Sequence, residues 1–358
     1  MCPRPSRRTR RLTRGPLVLV LAAAALLSAC SGGATSSSSL PAAAGTTASG
    51  TSTAVAGTAA PTPAPTPAPT PAPPPTMGAP LIIQVENSPQ ARPQSGMSQA
   101  DVVYEYETEG GISRFSTMWF HDPTTQVGPV RSARLATVHV LQEYDGTLIY
   151  SGAGAYVESL LAKGGFRRYG EGSPSIFRAG SRAAPHNVYT DPAHVAAVRA
   201  ADGVQRVAYE LWARTATASL PAGGSSGGTF TVPISNFEQP AFAYNGAAGG
   251  YTRSEPTGQM VDAATGKPWV IPTVVVMQVR VETAPLVHDV AGAFGVDHFI
   301  EGSGPVQVFT GGFVWNATYH QGPSGPPTFT LADGSAAPIA PGQVMIILTR
   351  TGSPARVG

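Results

Sequence analysis

Residues 31–79 limit where this chain can fold, because they contain no Asp, Glu, Lys or Arg and almost no large apolar side chain. Ser, Thr, Ala and Gly fill the first half, and the second half reads PTPAPTPAPTPAPPPT from Pro61 to Thr76. Such a composition cannot bury enough apolar surface to offset the entropy cost of folding. We predict that residues 30–79 form a disordered tether, whose Pro-rich half is a semi-rigid polyproline II spacer of roughly 45–50 Å.

The first 29 residues have the three parts of a secretory signal. Six arginines precede an apolar run from Leu17 to Leu27 that is too short for a permanent membrane anchor, and small residues follow. The letters LSAC at residues 27–30 resemble a bacterial lipobox, in which cleavage precedes the cysteine and the thiol carries a diacylglycerol. We expect lipidation of Cys30 and attachment to the outer face of the bacterial cytoplasmic membrane. The alternative is an ordinary signal peptide with an incidental cysteine.

Removal of this signal peptide, residues 1–29, changes the charge of the chain. The whole sequence has 23 Lys and Arg against 21 Asp and Glu, a net charge of +2. Subtracting the six arginines of the signal leaves 17 basic against 21 acidic residues, or −4. A nucleic-acid partner is therefore not expected. Of the two cysteines, Cys2 is removed and Cys30 is lipidated, so neither a disulfide nor a thiolate site is expected.

Residues 80–215 combine alternating apolar patterns with helical ones. Val102, Tyr104 and Tyr106 alternate with acidic residues before Gly110-Gly111, which is typical of one strand of a β-hairpin. The patterns predict strands at 81–87 and 146–153, a hairpin over 101–120, and helices at 132–144, 155–165, 191–201 and 204–214.

After residue 229 the helical period disappears, and β-branched runs alternate with glycine, proline and Asp333-Gly334. The predicted class is α+β. An N-terminal α/β-like domain (80–215) is followed by a Gly/Ser linker (216–228), a mostly antiparallel, β-rich C-terminal domain (229–350) and a short tail (351–358).

Several ungapped motifs occur along the predicted folded part. They are ARPQSGMSQADVVYEYETEGGISRF (91–115), GPVRSAR (128–134), SRAAPHNVYT (181–190), MVDAATGKPW (260–269) and EGSGPVQVFTGGFVWNATYH (301–320). Together they resemble the YerB-like lipoproteins, the family called domain of unknown function 3048. The resemblance implies a lipoprotein signal, a linker, an α/β-like part and a β-rich part, and it implies no particular reaction. Residues 282–294 depart from the family, because they are mostly apolar and contain no lysine where its members are usually richer in lysine.

Polar residues concentrate in the N-terminal half, where arginine's planar fork suits binding of carboxylate or phosphate. The candidate anion or ligand residues are Arg92, Arg114, Arg131, Arg134, Arg182, His186 and Asn187. Arg131 and Arg134 lie at a predicted helix start, where cations are unfavourable unless a negative group accompanies them. That group is either the acidic face of the strand at 101–109 or an external anion, such as an uronic or peptide carboxylate or a phosphate of the cell wall.

Catalytic candidates are few: Glu105, Glu109 and His186. The two glutamates lie roughly 13 Å apart along a strand, farther than the carboxyl pair of a retaining glycosidase. No nucleophile motif, phosphate loop or zinc spacing occurs, so no cofactor or metal is expected. The sequence therefore favours a lipid-anchored, non-catalytic envelope module that binds a cell-wall polymer or a wall-assembly protein. The alternative is a glycan- or peptidoglycan-acting hydrolase with a Glu/His site.

Overall fold

The computed structural model describes residues 79–205, 209–289 and 292–358. The predicted signal peptide, Cys30 and all but the last residue of the predicted tether lie outside the described residues. The described residues all belong to one compact unit. Within these ranges, no helix combines the length and the apolar character needed to cross a bilayer.

The first half of the described part alternates strands with helices. Its elements are β1 (Leu81–Glu86), β2 (Val102–Glu107), β3 (Ser113–Trp119), α1 (Leu135–Tyr144), β4 (Thr147–Ile149), α2 (Ala155–Lys163), β5 (Arg168–Tyr169), β6 (Phe177–Arg178), β7 (Val188–Tyr189) and α3 (Pro192–Asp202).

Three of the four predicted helices are confirmed, and each has a local cause. Helix α1 begins at Leu135, with Arg134 rather than Ser132 as its N-cap. Helix α3 follows Asp191, whose carboxylate accepts a hydrogen bond from the His194 N–H at 2.9 Å.

The helix predicted at 204–214 is wrong for the described residues 204–205 and 209–214, which are not helical. Two side chains of this segment are instead bonded to distant backbone. Trp212 Nε1 donates to Pro327 O at 2.7 Å, and Arg214 Nη1 donates to Ala340 O at 3.2 Å. Tertiary contacts thus override the local helical pattern.

The second half is built from short strands and a few long ones. They are β8 (Ser225–Ser226), β9 (Thr229–Thr231), β10 (Ala241–Asn245), β11 (Gly250–Glu255), β12 (Gly258–Gln259), β13 (Val261–Asp262), β14 (Lys267–Pro268), β15 (Val270–Ile271), β16 (Thr273–His288), β17 (Phe294–Phe299), β18 (Gly302–Thr310), β19 (Phe313–Gln321), β20 (Thr328–Thr330), β21 (Val344–Arg350) and β22 (Arg356–Val357). The α+β class with a β-rich C-terminal part is confirmed.

One sheet runs through both halves. Among the described residues it has twelve strands, with the main order β20-β19-β18-β16-β21-β2-β3-β1-β4-β5. Strand β21 lies between β2 and β16 and is parallel to both. The sheet therefore crosses the boundary predicted at 216–228, and the second half is not antiparallel throughout.

Several strands of the large sheet point the same way. Strand β1 is parallel to β4, and both β1 and β2 are antiparallel to β3, so β1, β2, β4, β16 and β21 share one direction. We call the edge where these five strands end the carboxyl edge. Beyond it, residues 280–288 of β16 pair with β17 and form what we call the hairpin arm.

Two apolar cores lie on opposite faces of the large sheet. Strand β1 shows the alternation, because Ile82 joins one core while Leu81 and Ile83 join the other. Helices α1 and α2 cover the first face. The second face is covered by α3 and by a smaller sheet in the order β12-β11-β10-β9-β22, with β15 beside β11.

Candidate functional site

A pocket of 420 Å³ opens at the carboxyl edge. We call it the arginine pocket, because three guanidinium groups line it. Its lining residues are Glu86, Glu109, Ile112, Arg114, Arg131, Ser132, Ala133, Arg134, Ala153, Gly154, Val157, Val287, His288 and Asp289.

The topology explains why residues from distant segments meet here. Glu86 ends β1, Glu109 follows β2, residues 153–154 follow β4, and residues 287–289 end the long β16. All four strands run in the same direction, so their carboxyl ends lie at one edge. In open sheets this edge is where ligands usually bind.

The two arginines of the GPVRSAR motif are each paired with a carboxylate. Arg134 Nε lies 2.7 Å from Glu109 Oε2, as the pairing with the 101–109 segment predicts. Arg131 Nε lies 3.2 Å from Glu86 Oε1, a carboxylate outside that segment. Both arginines also line the open pocket. The structure thus combines the two alternatives, since internal pairing leaves the guanidinium groups accessible to a ligand.

Arg114 differs from Arg131 and Arg134 because it forms no ion pair among the described residues. It is only 3% exposed, and its Nη1 donates to Ser132 O at 2.9 Å. Its Nε is buried without a hydrogen-bond partner among the described residues. Burial, and next the charge of Arg134, lower the pKa of Arg114 to about 9 although Glu86 opposes the shift. The surroundings of this guanidinium therefore favour an added negative charge.

Two helices begin at the same pocket. The N-cap of α1 is Arg134, and the N-cap of α2 is Gly154, which has no side chain to accept a hydrogen bond from the first turn. First-turn N–H groups lack acceptors within their helix and carry partial positive charge. Together with Arg114, this geometry suits an anion.

Other predicted site residues lie outside the lining of the pocket. Arg92 Nη2 donates to Glu238 Oε1 at 2.9 Å, and Arg182 donates to the backbone oxygens of Ala91 and Pro93 at 2.6 Å. Asn187 Oδ1 accepts from Arg178 Nη1 at 3.0 Å. These contacts hold loops together. His186 reaches the pocket only indirectly, because its Nδ1 lies 2.9 Å from Glu86 Oε2.

Glu105 belongs to a separate, fully buried charge cluster. Arg253 of β11 makes two contacts with its carboxylate, one of them Nη2 to Oε1 at 2.7 Å, and Ser113 Oγ donates at 2.6 Å. Glu238 and Glu255 also pair with Arg253, and Arg92 pairs with both of them. Burial, and next the hydrogen bond with Glu255, raise the pKa of Glu238 to about 8.

This cluster bears on the catalytic candidates. Glu105 has no exposed surface, and it faces the smaller sheet rather than the arginine pocket. Glu109 is paired with Arg134 in the pocket. The structure therefore separates the two carboxylates that the sequence analysis considered together. Among the described residues, no group of three or more His, Cys, Asp or Glu side chains could hold a metal ion.

Sequence reasoning missed several residues of these sites. Glu86 ends a plain apolar strand, and His288 and Asp289 lie within the mostly apolar segment 282–294. One signal of the buried cluster was visible in the sequence: Arg253 is a charged residue within the short strand GYTRSE. Its partner could not be read from local sequence.

Fold and site together define an α+β protein whose mixed sheet is covered on both faces and has an arginine-lined pocket at its carboxyl edge. The family models described as "Protein of unknown function (DUF3048)" N-terminal domain and C-terminal domain match residues 66–205 and 230–346. This chain belongs to that family, as its motifs predicted.

Two comparisons extend this assignment. The Bacillus subtilis (strain 168) protein named "Putative lipoprotein YerB" is 30% identical over 274 residues, which are 75% of this chain and 80% of the relative. The crystal structure of the YerB protein from Bacillus subtilis superposes with a TM-score of 0.63 at 26% identity. The superposition covers 76% of this chain and 90% of that chain.

Proposed function

We propose that this protein is a lipid-anchored envelope module that binds an anionic group of a cell-wall polymer, or of a wall-assembly protein, in the arginine pocket. Export and lipidation at Cys30 rest on the signal pattern of residues 1–30, and the name of the Bacillus relative agrees with them. The tether at residues 30–79 would give the folded part reach from the outer face of the cytoplasmic membrane.

One observation carries the binding proposal: Arg114 is a nearly buried guanidinium that faces two further arginines in an open pocket. Because the pKa of Arg114 is lowered, the charged guanidinium is less favourable in the folded state than in the unfolded state. A bound phosphate or carboxylate removes that penalty, so the anion stabilises the folded protein. The hydrolase alternative has less support, since Glu105 has no access to solvent and Glu109, which lines the pocket, is paired with Arg134.

The test uses residues 31–358, which include every described residue and lack the signal peptide and Cys30. Thermal unfolding is followed with increasing inorganic phosphate at constant ionic strength, and then with galacturonate oligomers. We expect the melting temperature to rise with phosphate. Arg131→Gln should weaken the apparent affinity about tenfold, since a charge-assisted hydrogen bond contributes about 1.5–3 kcal/mol.

Two further variants sharpen this test. Glu86→Gln removes the carboxylate that pairs with Arg131, so it should strengthen anion binding. Arg356→Gln, at an exposed arginine of the smaller sheet, should change nothing. Co-sedimentation of the same proteins with purified cell wall then examines the polymer directly. If neither anion raises the melting temperature, or if the rise is the same in all variants, binding in this pocket is refuted.

A further inference from the structure

The hairpin arm forms one wall of the arginine pocket. Residues 273–279 of β16 lie within the large sheet, whereas residues 280–288 pair with β17 beyond the carboxyl edge. Near the end of the arm, Val287 is buried in the core that α1 and α2 cover. Val287, His288 and Asp289 all line the pocket. The arm is thus held against the pocket by its inner face.

The outer face of the arm carries large apolar side chains exposed to solvent. Leu286 is 67% exposed and Phe294 is 57% exposed. Leu286 precedes Val287, so in an extended strand it points to the opposite face. Phe294 pairs directly with His288, a lining residue of the pocket. These two apolar side chains therefore adjoin residues that line the pocket, and we call them its apolar rim.

The opposite wall repeats this arrangement. Tyr156, which is 39% exposed, lies in the first turn of α2, two residues after the pocket residue Gly154. The pocket itself also contains apolar surface from Ile112, Val157 and Val287. Single exposed apolar residues need no explanation, but apolar residues on both walls of a cationic pocket match a ligand with a charged and an apolar part.

We propose that the arginine pocket takes the phosphate of an anionic phospholipid at a membrane surface, while Leu286, Phe294 and Tyr156 enter the boundary between headgroups and acyl chains. The inference rests on the proposed function, because it uses the same pocket. Charge complementarity selects the lipid: each arginine near an anionic bilayer contributes about 1 kcal/mol, and buried apolar side chains add to it.

The experiment measures flotation of residues 31–358 with vesicles of phosphatidylcholine alone or mixed with phosphatidylglycerol. We expect binding to the mixed vesicles only. Arg131→Gln should lower the partition coefficient about fivefold. The double variant Leu286→Ser/Phe294→Ser should lower it about tenfold or more, while its stabilisation by inorganic phosphate stays unchanged.

Controls separate this inference from the proposed function. Phe313→Ser removes an apolar side chain that is 46% exposed at the other end of the sheet, and it should leave flotation unchanged. Phe294→Trp should show a blue-shifted emission with mixed vesicles. Phosphate stabilisation without flotation, or full flotation of the double variant, overturns the lipid inference and leaves anion binding intact. If inorganic phosphate does not stabilise the parent protein, both the lipid inference and the proposed anion binding are overturned.

Discussion

Arg253 and Glu105 form an ion pair that joins the two sheets of the protein. Neither residue has any exposed surface, and Arg253 Nη2 lies 2.7 Å from Glu105 Oε1. Glu105 belongs to β2 of the large sheet, whereas Arg253 belongs to β11 of the smaller one. Burial lowers the pKa of Arg253, but the charges of Glu105 and Glu255 outweigh burial, so the pKa lies above its usual value. Arg253 therefore stays charged.

Arg253→Met should be strongly destabilising, because it leaves Glu105 buried without its cation. Removing one partner of a buried pair costs about 3–5 kcal/mol. Urea unfolding of residues 31–358 measures the change. Arg356→Met, at an exposed arginine of the same smaller sheet, serves as the matched control and should stay within about 0.5 kcal/mol of the parent. If Arg253→Met changes the free energy of unfolding as little as the control does, the pair does not stabilise the protein.

Glu143 should make the protein less stable as the pH rises. It is buried in α1, and burial raises its pKa well above the usual value, while a hydrogen bond from Tyr104 Oη at 3.2 Å opposes the shift. The folded state favours the protonated form, so this contribution is complete below about pH 4.5 and is lost as the pH rises towards the folded pKa.

Glu143→Gln should therefore gain stability over the parent by about 1.4 kcal/mol for each pH unit above 4.5, until the folded pKa is reached. Urea unfolding from pH 5 to 8 gives this difference. Glu301→Gln, at an exposed carboxylate, is the control and should show no such trend. Parallel stability curves for Glu143→Gln and the parent would contradict the prediction.

His298 should produce the opposite dependence at acidic pH. Burial lowers its pKa to about 3, against the attraction of Asp297, and its Nδ1 has no hydrogen-bond partner among the described residues. The folded state holds the neutral ring. Its contribution is complete above about pH 6.5 and falls by about 1.4 kcal/mol per pH unit down to about pH 3.

The substitution His298→Leu should flatten the acid limb of the stability curve between pH 6.5 and 4.5. Chemical unfolding at several pH values in that window, compared with the parent, measures the slope. His121→Gln, at an exposed histidine, should keep the slope of the parent. If His298→Leu also keeps it, the ring is not held neutral by burial.

Arg114→Met should stabilise the protein in anion-free buffer and abolish the stabilisation by phosphate. Burial and the nearby Arg134 lower the pKa of Arg114 to about 9, so the folded state disfavours its charge. In the parent protein, Arg114 is protonated in the unfolded state but not in the folded state between about pH 9 and 12.5. The stability of the parent therefore rises with pH in that range. Thermal unfolding with and without phosphate tests both effects. A destabilised variant that still responds to phosphate would contradict them.

Local patterns predicted the elements that local interactions determine. The hairpin over 101–120 is confirmed by β2 and β3, because alternation and Gly110-Gly111 specify it within twenty residues. The segment at 204–214 has an equally clear helical pattern, yet Trp212 and Arg214 bond to backbone more than a hundred residues away. No local pattern contains that information.

The candidate site shows the same division. Arg131 and Arg134 stood out because cations at a helix start need a negative partner, and both are paired. The partner of Arg131, Glu86, could not be identified, since it depends on β1 ending beside the loop before α1. The alternating pattern placed Glu105 on the acidic face of its strand, but a strand covered by layers on both faces buries both sets of side chains.

The position of β21 has a consequence for how the chain acquires its structure. This strand fills the gap between β2 and β16, and residue 102 pairs with residue 344. During synthesis the first half emerges with one side of β2 unpaired, and the sheet closes only when the last strands arrive. Closing so long a loop is slow. A chain that postpones its central pairing therefore spends longer without its complete sheet than one in which each new strand pairs with the strand before it.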